Sequence, residues 1–212
     1  ETFDYIVTGT DGEEALRQIV EGEATTQIVK GVDLTDLDVL PYPDYEGLGM
    51  EKYSMLVDGQ KAITMATSRG CVYSCYYCGS ATIKKWRGHS AKYVVDHMKM
   101  LYDKYDIRGF YFIDDIFTLK FLRVSEICKL VNEMFPKKDI TIRVTTRSNL
   151  LTQQLCYEMK ESGVDIISIG LESGSDKVLK AMRKLETVDV QRKGVEYCYN
   201  AGIKVKGFFL MG

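Results

Sequence analysis

From Lys61 onward, short apolar runs alternate with amphipathic stretches, and a loop carrying Cys71, Cys75 and Cys78 follows the first run. The runs lie at Lys61–Thr67, Phe110–Ile113, Ile140–Thr145, Val164–Ile169 and Ile203–Met211. Strands separated by helix-length segments pair in parallel through right-handed crossovers. The stretch Asp165-Ile166-Ile167-Ser168-Ile169 suits a strand buried on both faces. A complete eight-stranded βα barrel takes ~250 residues, so an α/β fold with a partial barrel, ending after its fifth strand, is expected here. A doubly wound sheet would give the same alternation. The cysteine loop favours the barrel, because ligands gather at the carboxyl ends of parallel strands.

Local signals subdivide the chain further. Ser90, Thr118 and Thr187 are the expected helix N-caps, and a further helix is expected from Thr152 to Gly163. Asp58-Gly59 supplies the positive backbone angles of a tight hairpin between Tyr53–Val57 and Lys61–Thr67. Ahead of it, Leu34 to Met50 reads as a linker interrupted by Pro41, Pro43 and glycines, which places a domain boundary near residue 50. In the first 50 residues, strand candidates at Phe3–Thr8 and Gln27–Val32 flank a helix opened by Gly12-Glu13-Glu14. A chain that starts and stops in strands is expected to be a piece of a longer protein.

The spacing of Cys71, Cys75 and Cys78 sets three thiolates on one tight loop with no fourth ligand nearby. Structural zinc sites close all four positions, and electron-carrying iron-sulfur clusters also take four cysteines. Three ligands on one loop leave one metal open to an outside molecule. The main rival is a non-catalytic zinc-binding or interaction module that borrows His89 as fourth ligand, although His89 lies beyond the three-to-five-residue gap of compact fingers. No signal-peptide pattern and no membrane-length apolar run occur in the sequence, so free thiols in a reducing, cytoplasmic compartment are expected. Cys128, Cys156 and Cys198 fall on apolar helix faces and read as core. A net charge of −2 gives no electrostatic case for nucleic acid, and the Lys84-Lys85-Trp86-Arg87 run reads as a solvated rim.

The Cys-x3-Cys-x2-Cys spacing, with the aromatic Tyr77 before the last cysteine, resembles the signature of radical S-adenosylmethionine (SAM) enzymes. That resemblance implies an incomplete βα barrel and a 4Fe-4S cluster on Cys71, Cys75 and Cys78, whose fourth iron binds SAM. It also implies an external one-electron donor and a 5′-deoxyadenosyl radical that acts on a small-molecule substrate or cofactor precursor. The related reactions are methyl transfer, methylthiolation and oxidative ring formation of the kind found in tetrapyrrole synthesis.

Further site residues follow from the strand ends. Ile113-Asp114-Asp115-Ile116-Phe117 looks like the Asp-Asp-x-Phe form of the motif that meets the amino group of SAM, with Asp114 or Asp115 as acceptor. The alternative reading of the two carboxylates is a helix-capping pair. Arg147, after the third strand, could hold the SAM carboxylate or a substrate acid through paired hydrogen bonds, or could form a structural salt bridge. Gly170-Leu171-Glu172-Ser173-Gly174-Ser175 matches the Gly-x-Glu-Ser-Gly-Ser form of one branch, where Glu172 or Ser173 would bond ribose hydroxyls. That branch continues with a Met-Asn-Lys-Gly-like run. Here it is Met182-Arg183-Lys184-Leu185, which leaves that stretch without an inherited role. The first 50 residues resemble the end of a cobalamin-binding-type (B12-binding-type) domain. Cobalamin in the full-length protein is thereby implied, with its histidine ligand upstream, since His89 and His97 lie past the linker.

Overall fold

Asp58 and Gly59 take positive φ angles of 48° and 81°, closing the hairpin that opens the larger of two compact units with its first sheet strands. The structure, a computed structural model, describes residues 3–82 and 85–211; Lys84 of the basic run lies outside the described residues.

The smaller unit is Glu1–Leu37. In it β1 (Ile6–Thr8) pairs in parallel with β2 (Ile28–Lys30), joined by α1 (Glu13–Val20). Glu13 and Glu14 occupy the first turn of α1, where the helix dipole favours them. Ala15 and Leu37 are fully buried.

The larger unit is Asp38–Gly212. Residues 38–50, read from the sequence as linker, therefore pack with this unit. The reason is aromatic: Tyr42 stacks on His97 with ring centroids 4.3 Å apart, and the Tyr45 hydroxyl lies 2.9 Å from His97 Nε2.

Its strands are β3 (Leu56–Val57), β4 (Gln60–Met65), the short pair β5 (Ser68–Arg69) and β6 (Arg87–Gly88), β7 (Gly109–Phe112), β8 (Thr141–Thr146), β9 (Val164–Glu172) and β10 (Lys204–Phe209). Its helices are α2 (Ala91–Tyr105), α3 (Phe121–Met134), α4 (Gln153–Glu161), α5 (Asp176–Ala181) and α6 (Val188–Asn200). The main sheet runs β3-β4-β7-β8-β9-β10, with every pair parallel except the β3–β4 hairpin. Strand order thus follows chain order without a reversal. A doubly wound sheet reverses its order at a switch point, so the barrel expectation holds: this is a partial barrel. Neighbouring helices pack in the same sequence, α2 on α3, α3 on α4 and α4 on α6. They cover one sheet face around Phe110, Phe112, Met98, Leu101 and Leu155.

Side-chain caps account for three of the six described α-helix starts. Ser90, Thr152 and Thr187 each accept a hydrogen bond from the backbone N–H three residues on, at 3.1, 3.2 and 3.3 Å. Thr118 does not cap. It is buried one turn before α3, and its hydroxyl pairs instead with that of Thr146. Cys128, Cys156 and Cys198 are buried in the core.

Candidate functional site

All five parallel strands point their carboxyl ends to one side, and the cysteine loop leaves the first of them, between β5 and β6. Cys71, Cys75 and Cys78 are free thiols that line one cavity of about 190 Å³. Tyr77 lines it too, its hydroxyl held between Cys75 and Glu172, and burial pushes its pKa well up. Burial also raises the Cys71 thiol, opposed by the Tyr73 N–H 3.4 Å away and by Arg147.

The adjacent carboxylates diverge. Asp114 is 3% exposed and accepts from Thr67 N–H and Ser68 N–H on Oδ1 (2.6 and 3.0 Å) and from both hydroxyls on Oδ2 (2.5 and 2.7 Å). A carboxylate offers about four acceptor sites, so none is left for a ligand. Asp114 fastens the end of β7 to the residues that launch the cysteine loop. Burial raises its pKa, and these donors oppose the shift. Asp115 turns the other way, into the cysteine cavity, where it accepts from Ser80 Oγ at 2.8 Å.

Arg147, at the end of β8, is 5% exposed and reaches the same cavity. Its Nη1 lies 3.4 Å from Cys75 Sγ, its Nε is 3.3 Å from Glu186 Oε1, and its Cζ sits 3.8 Å over the Tyr73 ring. Nη2 donates to the carbonyl of Lys184. The guanidinium is therefore salt-bridged and cavity-facing at once.

Glu172 ends β9 at φ 64°, a left-handed conformation rare for a non-glycine residue. Its carboxylate folds back toward Lys184 Nζ at 3.4 Å, an ion pair that lines the cavity. A Cβ at Gly170 would clash with the Glu172 carboxylate, so a larger residue there would displace this ion pair. Ser173 is not in the cavity. It faces a groove between β10 and α6, and its Oγ accepts from Ser175 N–H at 3.2 Å.

Two residues escaped the sequence reading. Lys184 pairs with Glu172, and the buried Glu186 holds Arg147. They flank Leu185 in a loop where Arg183 and Leu185 adopt φ of 57° and 59°, and the carbonyl of Met182 accepts from Tyr76 N–H at 3.0 Å. In the sequence, Lys184-x-Glu186 before a helix cap looks like an ordinary solvated charge run.

His89 does not join the cysteines. Its Nδ1 bonds Asp38 at 3.1 Å and its ring stacks on Tyr93 at 4.0 Å, against α2. Among the described residues no three histidine, cysteine or acidic side chains converge on one ion. With its ring held by Asp38 and Tyr93, His89 is not placed as the fourth ligand that the zinc alternative requires. Three thiols spread around a shared cavity fit a multi-iron cluster.

A family model decides the matter: the radical SAM superfamily matches residues 65–212. The chain belongs to the radical SAM superfamily. Membership brings a 4Fe-4S cluster and SAM as the cofactors of this enzyme. The chain is 28% identical to an uncharacterized methyltransferase of Pyrococcus horikoshii, across 99% of this chain and 49% of that protein. It is 29% identical to the cytidylyl-2-hydroxyethylphosphonate methyltransferase of Streptomyces wedmorensis, across 84% of this chain and 35% of the other. The cobalamin-dependent SAM radical enzyme OxsB, solved with aqua-cobalamin and SAM, superposes with a TM-score of 0.72 at 22% identity, over 94% of this chain and 32% of that one. That likeness shows a shared fold. The chain spans half or less of the length of these relatives. No described helix of this radical SAM chain is long and apolar enough to cross a membrane.

Proposed function

We propose that this chain is the SAM-cleaving core of a methyltransferase acting on a small molecule, with Cys71, Cys75 and Cys78 as the cluster ligands. The observation that carries the reading is convergence: the three thiols share one cavity with Asp115, Arg147 and Glu172, drawn from the ends of successive strands. When bound, the cluster supplies the electron that cleaves SAM to methionine and a 5′-deoxyadenosyl radical.

The residues divide the work of holding SAM. Asp115 is the free carboxylate for its ammonium group, since Asp114 is fully committed. Arg147 and Lys184 present positive charge for its carboxylate, and Glu172 with Tyr77 offers acceptors and a hydroxyl for the ribose. Phe208 and Ile116 close the cavity with apolar surface that excludes water. An external one-electron donor is required. The relatives' names favour methyl transfer over ring formation, and cobalamin would be held outside the cysteine-bearing unit in the longer protein.

Anaerobic iron reconstitution tests the ligand assignment. Cys75→Ala should retain far less iron than the parent and form little 5′-deoxyadenosine, because contacts beyond the ligands cannot replace a thiolate. Equal iron and equal product in the two proteins would overturn the reading.

A further inference from the structure

Side chains two residues apart on a strand share a face. Thr145, Gly170 and Phe208 line the cysteine cavity. Arg143, Ser168 and Lys206 therefore line the same inner wall, one step nearer the strands' amino ends. The register agrees: Ser168 pairs with Thr145 on one side and with Lys206 on the other, and no bulge interrupts Arg143–Thr146 or Lys204–Phe208.

Arg143 is fixed there without a counter-ion. Its Cζ lies 4.4 Å over the Tyr111 ring, and its Nε and Nη2 reach Ser168 Oγ at 3.2 and 3.1 Å. Ser168 itself is fully buried. One hydroxyl cannot satisfy five guanidinium N–H donors. Among the described residues neither Arg143 nor Lys206 has a carboxylate partner. The carboxylates close by in the fold are committed elsewhere: Glu172 to Lys184 above, Asp58 to Lys204 at 2.9 Å below, and Asp165 to Lys160 and Thr141. Arg143 is half-buried, so its remaining N–H donors stay open to a ligand, and its plane is set by stacking before any ligand arrives.

We infer that this wall is a substrate subsite for an anionic group, a carboxylate or a phosphate, with Arg143 as the planar anchor and Lys206 as the second cation. An arginine held in plane accepts either oxyanion through paired hydrogen bonds. The inference deepens the proposed function by giving its small-molecule substrate a charged end directed to the barrel's inner wall. It rests on that reading for the identity of the occupant as substrate, while the anion site stands on Arg143, Ser168 and Lys206 alone.

Calorimetry on the full-length protein, with inorganic pyrophosphate and tricarballylate as separate probes, tests it. The parent should bind at least one probe, and the preferred probe tells phosphate from carboxylate. Arg143→Gln should weaken that binding about tenfold and Lys206→Gln about threefold, as expected for losing a charge-assisted hydrogen bond or a more exposed charge. Lys204→Gln, one position below, should leave it unchanged. Arg143→Lys should restore part of the affinity, and if Arg143→Gln does not fold, Lys206→Gln carries the comparison. No binding of either probe to the parent, or equal binding by parent and variants, overturns the subsite. The effect of SAM on the spin-resonance signal of the reduced cluster separates the two readings. A SAM effect kept in Arg143→Gln while probe binding is lost supports the subsite. Absence of that effect in the parent removes the SAM reading and leaves the probe result to judge the anion site.

Discussion

Asp114 and Asp115 are neighbours in sequence with opposite roles, and the difference is one of donor supply. Four donors surround Asp114 in a dry environment, so its charge is compensated by the fold. Asp115 has one described donor, Ser80, and faces the cavity. Asp114→Asn should lower unfolding free energy by about 2–4 kcal/mol, because an amide cannot accept on both sides and its NH₂ would meet backbone N–H groups. Asp115→Asn should change stability by less than about 0.5 kcal/mol while weakening SAM binding about tenfold or more. Urea unfolding and SAM titration of the two variants check this; matching stability losses would mean that both carboxylates are structural. The sequence could show that two carboxylates stand at a strand end but not which was consumed, since the donors come from Thr67 and Ser68, some 46 residues away in the chain. For the cysteines the spacing was itself the signal. For Lys184 and Glu186 no signal existed, because their roles depend on the left-handed turn at Arg183 and Leu185.

At the scale of elements, the packing of residues 38–45 against α2 brings both histidines of the chain into one aromatic stack. Burial lowers the pKa of His97 to about 4, and nearby His89 adds to the shift. Burial also lowers His89, partly offset by its hydrogen bond to Asp38. A histidine whose folded pKa lies below its unfolded value of about 6.5 binds fewer protons when folded. Its full stabilising contribution is therefore present above about pH 6.5 and is lost as pH falls toward 4. For His97 alone the loss between pH 7.5 and 5 should be about 2 kcal/mol. Urea midpoints at the two pH values should show that drop in the parent and a markedly smaller one in His97→Gln. An identical drop in both would remove His97 as its source. The prolines made this stretch look like a free linker, whereas its tyrosines, two of them at positions 42 and 45, decide where it packs.

Across the whole molecule, the strand alternation and cap residues made most elements legible, but strand order was not. Alternating strands and helices are common to barrels and doubly wound sheets, and only pairings between distant segments tell them apart. The same order leaves the sheet with two unlike edges. At one edge β3 is two residues long and antiparallel, which blunts it. At the other, the six-residue β10 has no outer partner among the described residues, and Phe208, Phe209, Leu210 and Met211 are 41%, 60%, 46% and 97% exposed. Beside it, Phe209 and Tyr199 line an apolar groove with Leu171 and Val195. An unpaired edge that ends in exposed apolar side chains is a template for pairing with another chain. A polypeptide of these 212 residues should therefore self-associate in a concentration-dependent way. The paired substitution Phe209→Lys and Met211→Lys, which places charge along that edge, should shift it toward monomer without altering the helical signal in circular dichroism. Light scattering across a dilution series checks the outcome. A parent that is monomeric at every concentration would show that this edge is not a pairing surface, and an unchanged assembly in the lysine variant would place the contact elsewhere on the molecule.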